Sequence, residues 1–205
     1  MSKIAILAYG SLIDDPGPEL SQWIVDRRSV ETPFHVEYAR ASRKRGGAPT
    51  LIPVATGGSK VAAILLMLDP QVSEPEAKDM LWRRETGLKG HYAPPANPSR
   101  NHVLIDVHSN LADIQVVLST RIGSNIQPLT AQELARRAVD SAKNPEVKPG
   151  ENGISYLIRA QKAGVITPLT TQYEAAILEL TGTRSLEDAV RSVSAQTHRR
   201  VYNPT

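Results

Sequence analysis

Strand-like patterns crowd the first 122 residues of this chain and helical patterns follow them, with short turns rather than long crossovers between the strands. That order favours an α+β fold on a mostly antiparallel sheet, curled into a small β-barrel and flanked by helices, with a helical C-terminal part. Residues 4–7 read as a buried strand, because their alternation is too weak for a face in water. Residues 33–45 set Phe34, Val36 and Tyr38 against His35, Glu37 and Arg40, the pattern of an amphipathic strand. The runs 50–54 and 60–69 are joined through Thr56, Gly57, Gly58 and Ser59, which predicts a hairpin and a β-meander. Residues 74–87 open with acidic residues and Pro75 and close at Gly87, which predicts a helix. Strands follow at 102–108 and 113–122. Thr130, with Glu133 three residues on, opens a helix over 130–143 with a capping-box pattern. Further helices are predicted at 153–163, 168–181 and 185–196, a surface or pocket-mouth loop at the proline-rich 91–101, and a frayed tail over 197–205.

With 205 residues and neither repeat nor long linker, the chain reads as one domain over 1–205, its core at about 3–125 and its helical part at about 126–200. No apolar run approaches the roughly 20 residues that cross a bilayer, so no membrane partner is expected. The start reads as the first strand rather than a leader, since Asp14 and Asp15 stand where a small-residue cleavage site belongs. The absence of cysteine excludes disulfides, thiol nucleophiles and Cys-ligated zinc, and is compatible with the cytoplasm. The net charge is only +3, and Arg40 with Arg43, Lys44 and Arg45 forms the one basic cluster. Nucleic acid is therefore not expected, whereas small anionic ligands are admissible. The five histidines lack metal-ligand spacing, and no Rossmann or phosphate-loop glycine pattern occurs, so neither metal nor cofactor is expected. Trp23 and Trp82 read as packing residues.

Two segments carry chemical signals. The first is "AILAYGSLIDDPG", where the apolar run ends abruptly at 9–12. A serine after a glycine suggests a nucleophile, yet the G-x-S-x-G elbow needs glycines where Tyr9 and Ile13 stand. Ser11 is therefore a poor hydrolase serine, and what remains is a loop that turns its backbone N–H groups toward a ligand or another part of the chain. The second is the helix at 74–87, whose Ala77, Met80, Leu81, Arg84 and Leu88 follow core-facing spacing. Glu85, four residues after Leu81, sits on or beside that face. It is either a flank carboxylate paired with Arg83, Arg84 or Lys89, or a carboxylate in an apolar cavity, where desolvation favours proton transfer near neutrality.

In order along the chain, "YGSL", "ARASRKRGGAPTLIPV", "KVAAILLML" and "RRE" resemble the gamma-glutamylcyclotransferase-like superfamily, which includes the ChaC-type enzymes. The likeness covers about residues 4–122, with weaker support at 153–177. It implies that Tyr9, Gly10, Ser11 and Leu12 hold a gamma-glutamyl group through backbone N–H groups, and that Glu85 is the catalytic acid and base. The implied reaction is attack of the α-amine on its own γ-carbonyl, which releases 5-oxoproline and an amine or peptide without a cofactor. Some family members carry a tyrosine in the strand matched by 113–122, which here has no aromatic residue. Tyr92 either replaces it or simply packs. Arg40 and Arg43 either meet a second substrate carboxylate or form a solvated strand end, and residues 128–149 have no counterpart in the family. A non-catalytic small-molecule binding or regulatory module on the same fold is the alternative, and neither leaving group nor oligomeric state is fixed by the sequence.

Overall fold

The first strand is buried at all five of its positions, as a strand in the middle of a covered sheet must be. It belongs to a computed structural model that describes residues 3–202, with side chains for residues 3–194. In chain order the elements are β1 (Ile4–Ala8), α1 (Ser11–Asp14), α2 (Pro18–Ser21), β2 (Ile24–Glu31), β3 (Val36–Ser42), β4 (Ala48–Pro53), β5 (Ala62–Leu68) and α3 (Glu74–Thr86). There follow β6 (Leu104–Leu111), β7 (Ile114–Arg121), α4 (Ala131–Lys143), α5 (Gly153–Lys162), α6 (Thr170–Thr181) and α7 (Leu186–Tyr202). The fold is α+β. None of the described helices is long and apolar enough to cross a membrane.

The chain forms two compact units, and the division ignores chain order: residues up to Phe34 join Lys60–Gly123, while His35–Ser59 join the residues from 124 onward. In the first unit the strand order is β2-β5-β1-β7-β6. Every pairing is antiparallel except β1 with β7, which is parallel. Among the described residues no pairing joins β2 to β6, so the sheet is open and its closure into the expected barrel is not observed. Ile4, Ile6 and Ala8 of β1 share one face with Leu66, Leu68 and Leu118, covered by Ala77, Met80 and Leu81 of α3. Ala5 and Leu7 pack on the other face with Ala63, Leu65, Met67, Ile114 and Val117. The period of two thus sorts each strand between two apolar clusters.

In the second unit β3 and β4 form a two-stranded antiparallel ribbon accompanied by α4, α5, α6 and α7. Its core includes Tyr38 from the ribbon and Tyr156 and Tyr173 from α5 and α6, which meet edge to face.

Several expectations are corrected. No meander links β4 to β5, because β4 pairs with β3 whereas β5 pairs with β1 and β2. The glycines at 57 and 58 serve a different purpose: Ser59 forms a bridge with Val36, and a Cβ on Gly58 would lie 2.5 Å from the Val36 carbonyl oxygen. Close backbone approach, not a hairpin, requires the missing side chain. Strand β2 escaped the sequence reading because Asp26, Arg27, Arg28 and Glu31 leave it mostly exposed at the sheet edge, without an apolar pattern. Glu37, assigned to a polar face, is 2% exposed, since β3 is buried on both faces over its first four residues and a register irregularity follows Glu37. Thr130 caps α4 by accepting from the Glu133 N–H, but the Glu133 carboxylate turns to Arg136 and Arg137 instead of completing the box. Helix α7 continues to Tyr202 where a frayed tail was expected, and residues 203–205 lie outside the described residues.

Candidate functional site

The turn after β1 is built around Gly10, whose φ of 65° and ψ of −134° suit a residue without a Cβ. It is the N-cap of α1, a helix of four residues that places Ser11 first and buries Leu12. The chain then closes on itself, with the Ile13 N–H donating to the Gly10 carbonyl at 3.2 Å and the Asp15 N–H to the Ser11 carbonyl at 3.0 Å. Leu12 packs in the cluster beneath α3. The Tyr9 ring goes to the other face of the sheet, edge-on to Phe34 at 5.6 Å, and its hydroxyl donates to the Thr120 carbonyl at 3.3 Å. Within 9–12, therefore, the side chains of Tyr9 and Leu12 serve opposite faces, and only Leu12 shares its cluster with α3.

Helix α3 begins with a complete capping box, Ser73 with Glu76, and ends at Gly87, whose N–H donates to the Arg83 carbonyl. Its apolar stripe is real through Ala77, Met80 and Leu81, but Leu88 lies past the helix end and is exposed. Arg84 occupies the next position of the stripe and is 17% exposed. Its guanidinium has three engagements. Nε and Nη2 both donate to the Asp15 carbonyl, at 3.0 and 2.5 Å, while Nη1 donates to Glu85 Oε1 at 2.8 Å. Glu85 is one quarter exposed and paired. Its surroundings are those of the flank carboxylate, with Arg84 as the partner, rather than an apolar cavity.

The preceding arginine works outward. Arg83 binds both oxygens of Glu19 and donates to the Gly90 carbonyl at 2.6 Å. Asp79, one turn earlier, accepts from the Tyr92 N–H at 2.6 Å and lies 2.5 Å from His91 Nδ1, which fixes the start of the irregular 91–101 segment. Burial opposes the charge on Asp79, but the hydrogen bonds from His91 and the Tyr92 N–H outweigh it and hold the carboxyl below its ordinary range. Tyr92 packs against the cluster beneath α3, and its hydroxyl accepts from the Ile105 N–H at 3.0 Å. That bond gives it a place on the β6 backbone. Trp23 and Trp82 pack against the same cluster, as expected.

The sequence-derived residues thus divide between the two units. Tyr9, Gly10, Ser11, Leu12, Glu85 and Tyr92 belong to the first, whereas Arg40 and Arg43 belong to the second. Arg40 is half-buried at the end of β3, and Arg43 is exposed in a 3-10 turn spanning Arg43–Arg45. Two polar groupings were not foreseen. His108 Nε2 lies 2.8 Å from the hydroxyl of buried Ser119, and burial lowers the histidine's pKa. Alternation along β6 and β7 was the signal that places them on one face. In the second unit, Glu37 accepts from the Tyr38 N–H at 2.9 Å, the Thr167 hydroxyl at 2.6 Å and the Leu169 N–H at 3.4 Å. The ring of Tyr173 packs edge-on to Tyr38, its buried hydroxyl has no hydrogen-bond partner among the described residues, and burial raises the phenol pKa of both tyrosines.

Neither a family model nor a curated protein sequence matches this chain.

Proposed function

We propose that the protein is a gamma-glutamyl cyclotransferase of the cytoplasm, with a gamma-glutamylcyclotransferase-like fold, that converts a gamma-glutamyl peptide or amine into 5-oxoproline. One observation carries the reading. The segments that resemble the family, 9–12 and the arginine-glutamate at the end of α3, lie some seventy residues apart, yet one guanidinium touches both the main chain just after the turn and Glu85. A site built from those segments is therefore physically continuous within one unit.

The chemistry asks little of the protein. The α-amine of the substrate forms a bond to its own γ-carbonyl carbon, the bond from that carbon to the leaving nitrogen breaks, and one proton passes from the attacking to the leaving nitrogen. Glu85 accepts that proton and returns it. The turn at Gly10 holds the flexible chain in its ring-closing shape, a contribution worth roughly 7–11 kcal/mol when reacting atoms sit at attack distance. The turn offers the N–H groups of Gly10, Ser11 and Leu12 to a carboxylate or a developing oxyanion. Ser11 acts through its main chain.

The Arg84–Glu85 ion pair is the observation that favours the alternative, a binding module in which Glu85 is an anchor. Incubation of the pure protein with a panel of gamma-glutamyl peptides and amines, read for 5-oxoproline by mass spectrometry, separates the two. The enzyme reading expects product from at least one member. Silence across the panel leaves the binding module.

A further inference from the structure

We infer that Arg84 is the positioning residue of this site: its guanidinium is the strut that fixes the Glu85 carboxylate relative to the turn at 9–12. The inference rests on the cyclotransferase reading and deepens it.

A carboxylate at the last turn of a helix is ordinarily mobile, because its neighbours are solvent and its side chain has three rotatable bonds. Glu85 is the penultimate residue of α3 and is one quarter exposed, so the helix alone does not define where its oxygens lie. Arg84 supplies the definition. Its stem occupies the core-facing row after Leu81, and its Cγ lies 3.2 Å from where a Cβ on Gly17 would stand. Gly17 has φ of 79° and follows the turn closely, so the stem runs past the same loop that the head group binds. From that anchored stem two nitrogens converge on one acceptor, the Asp15 carbonyl, and the third reaches Glu85 Oε1.

The planar fork decides why arginine is needed. Three donors of fixed mutual geometry satisfy a carbonyl and a carboxylate at once, whereas the point charge of lysine on its flexible stem cannot hold both at those angles. Asp15 follows α1 directly, and its N–H is tied to Ser11. Displacement of the turn is therefore passed to Glu85 through three hydrogen-bonded links: Asp15 N–H to Ser11, Arg84 to the Asp15 carbonyl, and Arg84 to Glu85. Exposed ion pairs are worth about 0–1 kcal/mol in stability. The value of this one lies in geometry, since misplacement of a catalytic group by about 1 Å costs on the order of 100-fold in rate.

The test compares Arg84→Ala, Arg84→Lys and Glu85→Gln with the wild type on the best substrate of the panel, with folding checked by circular dichroism. Arg84→Ala is expected to lose about 10- to 100-fold in kcat with KM within about threefold, because Arg84 touches Glu85 and not the substrate. Arg84→Lys recovers only part of that loss. Millimolar methylguanidinium raises kcat of Arg84→Ala, where the space is vacant, and leaves Glu85→Gln unchanged. A folded Arg84→Ala or Arg84→Lys with wild-type kcat overturns the positioning role while leaving the reaction intact. If Arg84→Ala does not fold, Arg84→Lys decides: full kcat overturns the proposal and reduced kcat at near-constant KM upholds it. Absence of 5-oxoproline from the wild type, or full turnover by Glu85→Gln, overturns the underlying reading and this inference with it.

Discussion

Two glutamates in this chain are hidden to different depths and held by different partners. Glu85, at the end of α3 in the first unit, is one quarter exposed and held by a guanidinium. Glu37, on β3 in the second, is 2% exposed and held by two N–H groups and a hydroxyl. A carboxylate so deeply buried and anchored by neutral donors joins a strand to the start of a helix, here β3 to the residues that open α6. One that keeps an exposed edge has oxygens left for a visitor. Burial alone is thus a poor guide to chemistry, and the partners and remaining access separate the two roles.

Neutralising each carboxylate in turn separates the two roles. Glu85→Gln is expected to lower turnover by roughly 10²- to 10⁴-fold, the loss typical of a general acid/base, while its unfolding midpoint in urea stays near that of the wild type. Glu37→Gln is expected to do the reverse. Its amide presents N–H groups to donors and costs about 1–3 kcal/mol in urea unfolding, with kcat unchanged where the protein is folded. Loss of turnover without loss of stability in Glu37→Gln would erase the distinction.

The turn offers the next contrast. Gly10→Val should abolish most turnover, because a branched side chain at φ 65° forces the backbone to rearrange where substrate approaches it. Ser11→Ala should keep activity within a few-fold. A serine variant as inactive as the glycine variant, both folded, would restore a direct role for the hydroxyl. In the second unit, Tyr173→Phe removes a buried hydroxyl that has no partner among the described residues. It should leave stability unchanged or raise it by up to about 1 kcal/mol, whereas most core substitutions lower it.

The smallest effect is on pH dependence. The native Asp79 carboxyl lies below its ordinary range, so its stabilising contribution is present above the unfolded value of about 3.9 and is lost as pH falls below it toward the native value. Asp79→Asn should therefore flatten the acid side of a urea-midpoint profile recorded between about pH 3 and 7. An unchanged slope would show that His91 and the Tyr92 N–H do not hold the charged form.

Elements with local punctuation were legible in the sequence. Helix α3 announced both ends, through Pro75 and through Gly87, and β6 and β7 declared themselves by apolar content. Partners in the sheet were not legible. The glycines before β5 have the composition of a hairpin, and only the bridge from Ser59 to Val36 reveals that they serve a close approach to β3. Strand β2 carries the charges of an edge, which hides it from any test of apolar pattern. At the site, helical spacing located Glu85 beside Leu81 and placed Arg84 on the stripe. Spacing could not reveal the Asp15 carbonyl that Arg84 grips, because a main-chain acceptor has no signature in residue type. Glu37 was misassigned for a related reason: strict alternation puts it on a polar face, while β3 is buried on both.

Ring closure by the substrate's own amine is distinguished from hydrolysis by running the reaction in ¹⁸O-enriched water. Cyclisation transfers no solvent oxygen, so mass spectrometry of the reaction with the best gamma-glutamyl substrate should find unlabelled 5-oxoproline and an equal amount of released amine or peptide. Glutamate carrying ¹⁸O in its γ-carboxylate, the product of attack by water, or substrate left intact, would contradict the account.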